Sequence, residues 1–357
     1  MAVALALLAA APAVGAERSP QERWLLSAAT APRRVSFTGV KDVILWSEAG
    51  AQGSTVEIAH RAATGVRLTY RSTLGRAQRI VVDDGRRRWQ YEPSAHVALI
   101  SPSITEEDVP PSARRLGLLL ANYRPTIVGR EPVAGRRAVA LLVRPRTDAR
   151  PSLKLWVDEA TGLILRTELY HANGRLAEAS AFTRIDFVSP PESLFRFRPP
   201  AGVTVRAVAA STPMGLPDLA RRVGFTPIAL ERLPDGFVLD RVRLAGSGTP
   251  VAVTQYTDGL ATLTLFQRRV TPGSRSSLPA GRPIPLGAGA AELRRFDGAN
   301  VLHWQRNGVA LTLVGEVPAA ELTKIAVRIG VDAPPGLLSR LRYWLLLLWE
   351  RLTAAVA

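Results

Sequence analysis

Apolar and polar residues alternate with period two along much of the first half of the chain, the pattern of half-buried strands. Runs at Val35–Trp46, Thr55–His60, Val66–Tyr70, Arg79–Val82, Arg88–Tyr91 and His96–Ile100 predict six strands. Gly65 and Asp83-Asp84-Gly85 supply turns between them. Two segments break the alternation with helical spacing. One is Gln21–Ala29. The other is Ala113–Tyr123, where Leu116, Leu119, Leu120 and Tyr123 recur on one face behind a cap at Ser112. Strands near Thr126–Val128 and Arg137–Val143 follow.

The stretch Leu153–Phe187 reads as three antiparallel strands and two tight turns. Leu153, Leu155 and Val157 share one face; Leu163, Leu165 and Leu169 share another. A Gly-terminated loop, Asp158–Gly162, joins the first pair, and Asn173-Gly174 predicts a two-residue hairpin with both φ positive. That loop sets Leu165 opposite Phe182, and Arg166, Glu168 and Tyr170 opposite Ala181, Ala179 and Ala177. Long side chains beside alanines let a sheet curve and leave room on its hollow side. The expected object is a container or platform.

Pro190–Pro217, rich in proline, predicts a linker running on from the last turn of the first unit, which Phe195 and Phe197 fasten. Residues 218–332 predict a smaller α+β unit: a helix at Leu219–Val223, strands in LPDGFVLDRVRL, TQYTDGLATLTLFQ, AAELRRF and VLHWQRNGVALTLVGEV, and a closing helix PAAELTKIAVRI. Residues 1–16 form an apolar, alanine-rich run ending in small residues at Val14 and Ala16, the pattern of a signal segment without its basic leader. After Pro334-Pro335-Gly336, residues 337–357 predict an apolar helix. Its uninterrupted core, Tyr343–Trp349, falls short of the about 20 residues that span a bilayer. Tyr343, Trp344 and Trp349, with basic flanks, are candidates for contact with a membrane surface or a partner.

The phrases LLLANYRPTIVGREPVAGRRAVALLV and LWVDEATGLILRTELYHANGRLAE resemble the large domain of the MucB/RseB family, and YTDGL and GEVPAAELTKIA resemble its small C-terminal domain. Members of that family are exported regulators of envelope-stress sigma factors, and their large domain is similar to the lipoprotein carriers LolA and LolB. The resemblance implies a β-rich α+β fold: a curved antiparallel LolA-like half-barrel over 17–200 with a plugging helix, a linker at 201–217, and the smaller domain at 218–332. It implies a protein that binds the extracytoplasmic part of an anti-sigma factor and senses lipid or lipoprotein acyl chains in a hydrophobic cavity. Candidate lining residues are Trp46, Trp89, Tyr91 and Trp156 on strands, Leu116, Leu119, Leu120 and Tyr123 on the helix, and Arg166 and Tyr170 beside the alanines.

Composition narrows the chemistry. With 47% hydrophobic and 21% charged residues the 357-residue chain is globular. The absence of cysteine rules out disulfides, thiolate metal sites and an acylated anchor. The net charge of +16 is nearly all arginine, scattered singly or in pairs apart from Arg86-Arg87-Arg88, so it forms no nucleic-acid stripe. It suits anionic headgroups or an acidic partner better. The four histidines stand far apart, and no GxSxG, HExxH or GxxxxGK[ST] occurs. Gly287–Glu292 imitates a dinucleotide loop but ends in Glu within a β-rich unit, and Asp83-Asp84 and Glu106-Glu107-Asp108 read as solvated acids. No enzyme and no cofactor is expected. Two alternatives stay open: a periplasmic carrier of the LolA type, and a basic nucleic-acid-binding protein.

Overall fold

The computed structural model describes residues 18–47, 50–72, 76–103, 113–147, 150–208, 214–246, 249–270, 281–287, 289–296 and 299–330. The expected signal segment, the cap Ser112, and the tail helix with Tyr343, Trp344 and Trp349 lie outside them.

Helix α1 (Pro20–Thr30) opens the described chain. Ser19 caps it, accepting from the Glu22 amide at 3.4 Å while Glu22 accepts from the Ser19 amide at 3.2 Å. Strands β1 (Phe37–Ser47), β2 (Gly50–Arg61), β3 (Gly65–Arg71), β4 (Ala77–Asp83), β5 (Arg87–Glu92) and β6 (Val97–Pro102) follow as a meander. After α2 (Ala113–Asn122) come β7 (Tyr123–Val133), β8 (Arg136–Pro145), β9 (Ser152–Asp158), β10 (Ile164–Tyr170), β11 (Leu176–Asp186) and β12 (Thr204–Ala207). All twelve strands form one sheet in the order β12-β6-β5-β4-β3-β2-β1-β11-β10-β9-β8-β7. Every pairing is antiparallel except that of β12 with β6. The sheet is open, with β12 and β7 at its edges.

The β10–β11 turn differs from expectation. His171 and Arg175 pair (2.8 Å), the Gly174 amide donates to the His171 carbonyl (2.9 Å), and only Gly174 takes positive φ (79°). The loop therefore has three residues, Ala172–Gly174, a turn closed by one left-handed glycine. This would shift every downstream pair by one. A bulge between Leu169 and Tyr170 absorbs the shift, so Arg166 still faces Ala181 and Glu168 faces Ala179, while Tyr170 faces Leu176 instead of Ala177.

The second unit holds α3 (Leu216–Val223), β13 (Val238–Ala245), β14 (Val251–Thr257), β15 (Thr262–Arg269), β16 (Arg282–Leu286), β17 (Gly289–Phe296), β18 (Ala299–Arg306), β19 (Val309–Gly315) and α4 (Ala319–Ile329). Its seven strands are ordered β13-β14-β15-β19-β18-β17-β16. Leu322, Ile325, Ala326 and Ile329 of α4 close the core over Phe237, Leu263, Leu302 and Trp304. Fully burying each large apolar side chain contributes about 1.5–3 kcal/mol. The dinucleotide-like stretch was expected to be a plain connection; its residues Gly289–Glu292 instead begin β17, paired antiparallel with β16.

Two strands were not expected. Pro283 and Pro285 hide β16, which tolerates them because it is an edge strand. The four-residue β12 lies in the expected linker, still hydrogen-bonded to the first sheet.

Candidate binding faces and the junction between the sheets

Paired residues in a sheet share a face and neighbours along a strand alternate, so the register assigns every strand residue to a side. Trp156 pairs with Arg166, Arg166 with Ala181, and Ala181 with Asp42. Along β1, Asp42 shares its side with Thr38, Ile44 and Trp46. From Thr38 the row runs through Ala59, Arg67 and Val82 to Trp89. Trp46, Trp89, Tyr91, Trp156, Arg166 and Tyr170 therefore all lie on one side. The leucines of α2 lie on the other. Leu116, Leu119 and Leu120 pack with Leu141, Val143, Leu155 and Val157, whose strand neighbours alternate with Trp156. The expected pocket, with aromatics beside the helix, is thus split between two faces.

On the aromatic side little is left open near the ends. Trp156 is buried, with Lys154 and Arg166 each 4.3 Å from its ring centroid and Glu131 accepting its Nε1–H at 3.1 Å. Phe197 covers both Trp89 (5.6 Å between centroids) and Tyr91 (5.7 Å). Between these ends, half-buried Trp46 and exposed Ile44 stand beside Ala179 and Ala181. Glu168 accepts from both Arg166 and Tyr170. Burial pushes the Glu168 carboxyl up, but those two bonds outweigh it and hold its pKa below the ordinary value. The bond to Glu168, aided by burial, raises the Tyr170 phenol to about 12. This face is a charged, alanine-floored platform.

The helix-covered side carries residues the sequence reading missed. Leu155 pairs through Thr167 and Ser180 to Val43, so Lys41, Val43, Val56, Tyr70 and Phe182 share the face of Leu155. Phe182 meets Phe37 edge-on at 5.7 Å. Lys41 lies over the Phe182 ring at 5.5 Å, and burial lowers its ammonium pKa, only partly countered by Glu178. Arg79 pairs with Tyr70 and lies 4.2 Å over its ring, so this face carries two partly covered cations, and an apolar surface of that kind suits a fatty chain with an anionic end. The signal was the odd-numbered set on β1, Lys41–Val43–Leu45, set against Trp46 on the even set.

Tyr123 was expected as the last residue of α2. The helix ends one residue earlier, because Asn122 turns its side chain to the Leu118 carbonyl (3.0 Å) while Arg146 donates to the Leu120 carbonyl (3.2 Å). Tyr123 then begins β7, buried, with its hydroxyl donating to Asp258 at 2.9 Å. Asp258 lies in the β14–β15 turn of the second sheet, so this bond crosses between the units. Asn122 Nδ2 reaches the Asp258 carbonyl at 2.8 Å.

Arg150 completes the junction. It is buried, pairs with Asp258, donates to Glu321 of α4 (2.7 Å) and to the Asp235 carbonyl, and lies 4.5 Å over the Phe237 ring. Burial disfavours its charge, but the attraction of Asp258 and Glu321 wins and the net shift is upward. Burial lifts the Tyr123 phenol well above its usual range, with Asp258 adding to it. A Cβ at Gly259 would stand 2.6 Å from Leu119 Cα, so the turn backbone lies directly on α2. Leu260 packs into the same cluster as the α2 leucines. The region between the sheets is closed here by side chains of both.

Among the described residues no group of three metal-binding side chains occurs, and no helix is long and apolar enough to cross a membrane. The family model for the MucB/RseB N-terminal domain matches residues 20–200. The Pseudomonas aeruginosa protein named sigma factor AlgU regulatory protein MucB is 29% identical over 321 residues, 87% of this chain and 90% of that protein. The P. aeruginosa MucA/MucB complex structure is similar over 89% of this chain and all of that one, at 26% identity and TM-score 0.59. A structure of MucB in complex with MucA(peri) is similar over 85% of this chain and 96% of that one, at 26% identity and TM-score 0.54. A family model spanning the whole first sheet but its last strand, and relatives aligned through the second sheet as well, carry one conclusion: the chain belongs to the MucB/RseB family.

Proposed function

We propose that this protein is a non-enzymatic, exported regulator that holds the extracytoplasmic part of an anti-sigma factor and loosens its hold when an acyl chain enters the helix-covered face of the first sheet. In this reading residues 17–200 form a LolA-like half-barrel, α2 is its plug, and residues 218–332 form the domain that grips the partner together with the junction. One observation carries the coupling. The helix whose leucines pack on the apolar face ends at Asn122 and passes directly into Tyr123 of β7, and both residues bond Asp258 in the β14–β15 turn. A chain that displaces Leu116, Leu119 and Leu120 must therefore disturb the contacts that set the two units against each other. Linkage supplies the thermodynamics: the acyl ligand releases the partner only as far as it prefers the partner-free arrangement.

The test is the affinity of the full chain for the purified extracytoplasmic part of the anti-sigma protein, with and without dispersed oleate. Oleate is expected to weaken that affinity about tenfold, within the usual range of such couplings. Oleate that binds without changing the partner's affinity overturns the sensing step but leaves partner binding intact. Oleate binding with no partner affinity at all identifies a carrier instead.

A further inference from the structure

Among the described residues the first sheet ends on β7, whose one partner strand is β8. Its middle is exposed: Thr126, Ile127 and Val128 lie open between Pro125 and Pro132. At its start, Arg124 is directly paired with Arg144 of β8. Like charges set opposite each other destabilise a strand pair. Arg146 stands beside them, and with Thr126 and Pro145 the three arginines line a cleft of about 590 Å³.

Several other arginines of this sheet have carboxylates at hand: Arg71 has Glu57, Arg130 has Glu159, and Arg136 has Asp158, while Arg67 reaches the Leu194 carbonyl and Arg79 the Tyr70 ring. Among the described residues none of the three cleft arginines has a carboxylate. Arg146 is held in place by its bond to the Leu120 carbonyl, and its own amide donates to the Asn122 carbonyl at 2.9 Å. Arg124 and Arg144 are exposed. Among the described residues the cleft is an assembled cation site without a counter-charge, and it borders a strand edge with no partner strand.

We infer that this edge takes up an acidic, extended segment of a partner protein, added as a strand along β7 with its carboxylates in the Arg124–Arg144–Arg146 cleft. Strand addition supplies main-chain hydrogen bonds, and the alternation of the added strand sends every second side chain to the arginine side. The arginine fork binds carboxylates in two-point fashion. A lone anionic headgroup would satisfy the cleft but leave the edge unused, which is why the peptide is favoured. Arg146 touches the end of α2, but the test of this site uses neither an acyl chain nor the anti-sigma protein.

The probe is a fluorescent peptide of alternating glutamate and valine, titrated onto the full chain by polarisation. Binding is expected, weakening as salt rises. It should fall about tenfold in the Arg124→Gln, Arg144→Gln double variant, whose two substitutions lie at exposed positions and leave the thermal midpoint unlowered. The same peptide N-methylated at alternate residues should bind about as weakly as that variant does, because the added strand loses its hydrogen bonds. Equal binding of the methylated and plain peptides overturns strand addition. Affinity unchanged in the double variant, or no binding to either peptide, overturns the inference and leaves the arginines as blockers of edge-to-edge pairing. Arginine-dependent binding to phosphatidylglycerol vesicles, with the peptide unbound, overturns it in favour of a headgroup.

Discussion

Arg150 and Asp258 form the most consequential side-chain pair, because each is buried and each belongs to a different sheet. Removing one partner strands the other. Asp258→Ala should cost about 3–5 kcal/mol in denaturant unfolding, since it leaves a guanidinium and the Tyr123 hydroxyl with fewer acceptors. A loss under about 1 kcal/mol would mean that water or Glu321 replaces the lost carboxylate. Asp158 gives a pH signature. Burial pushes its carboxyl up, but bonds from Arg136 and Thr161 outweigh it and the folded pKa lies below the ordinary value. A depressed folded pKa means stability present above the unfolded carboxylate pKa and lost as pH falls through the folded one. Asp158→Asn should therefore flatten the fall in stability on acidification, and an unaltered acid profile would remove Asp158 from that balance. Neither pair could be read beforehand. Arg150 and Asp258 are 108 positions apart, and nothing in a single sequence joins them.

At the scale of elements, the β10–β11 hairpin shows how a correct result can rest on an incorrect turn. The Asn-Gly dipeptide marked the reversal, and the alternation fixed which residues face the alanines. The loop is one residue longer than expected, and the bulge after Leu169 restores the register, because the buried face of a strand cannot slip by one residue. The strain of that loop sits on Gly174. A Cβ there would meet nothing within 4 Å, so only the backbone conformation opposes a side chain. Gly174→Ala should cost about 1 kcal/mol, read as a lowered thermal midpoint with the ligand-free structure otherwise unchanged. A neutral substitution would show that the turn can re-form with another geometry. Helix α2 was legible in extent to one residue. Its end was not, because Asn122 and Tyr123 are recruited by Asp258 from another sheet.

At the scale of the molecule, the described residues join the two sheets where α2 and Arg150 meet the Asp258–Leu260 turn, Asp235, Asp240 and α4. At Gly259, with φ of 107°, the turn backbone lies against the Leu119 backbone. Gly259→Val should force the sheets apart without entering either core. Calorimetry should then resolve two unfolding transitions, against one expected for the parent chain. A single transition at the parent midpoint would mean that the junction contributes nothing to cooperativity, and the proposed coupling between ligand face and partner grip would lose its mechanical basis.

The order of strands and helices, the family phrases, the absence of nucleophile and metal motifs, and the parity of each strand are all local properties, written in spacing and turn residues. They determined a β-rich α+β chain of the MucB/RseB family with two sheets. The tertiary structure decided which parity faces which neighbour. Parity says that Trp46 and Lys41 point to opposite sides, but not that α2 covers the side of Lys41. That choice depends on where a helix lands after leaving and rejoining a twelve-stranded sheet. The same holds for Tyr123, a plausible apolar contact by spacing and a hydrogen-bond donor across the junction in fact. Contacts between distant segments are made by packing, and a period along the chain carries no information about them.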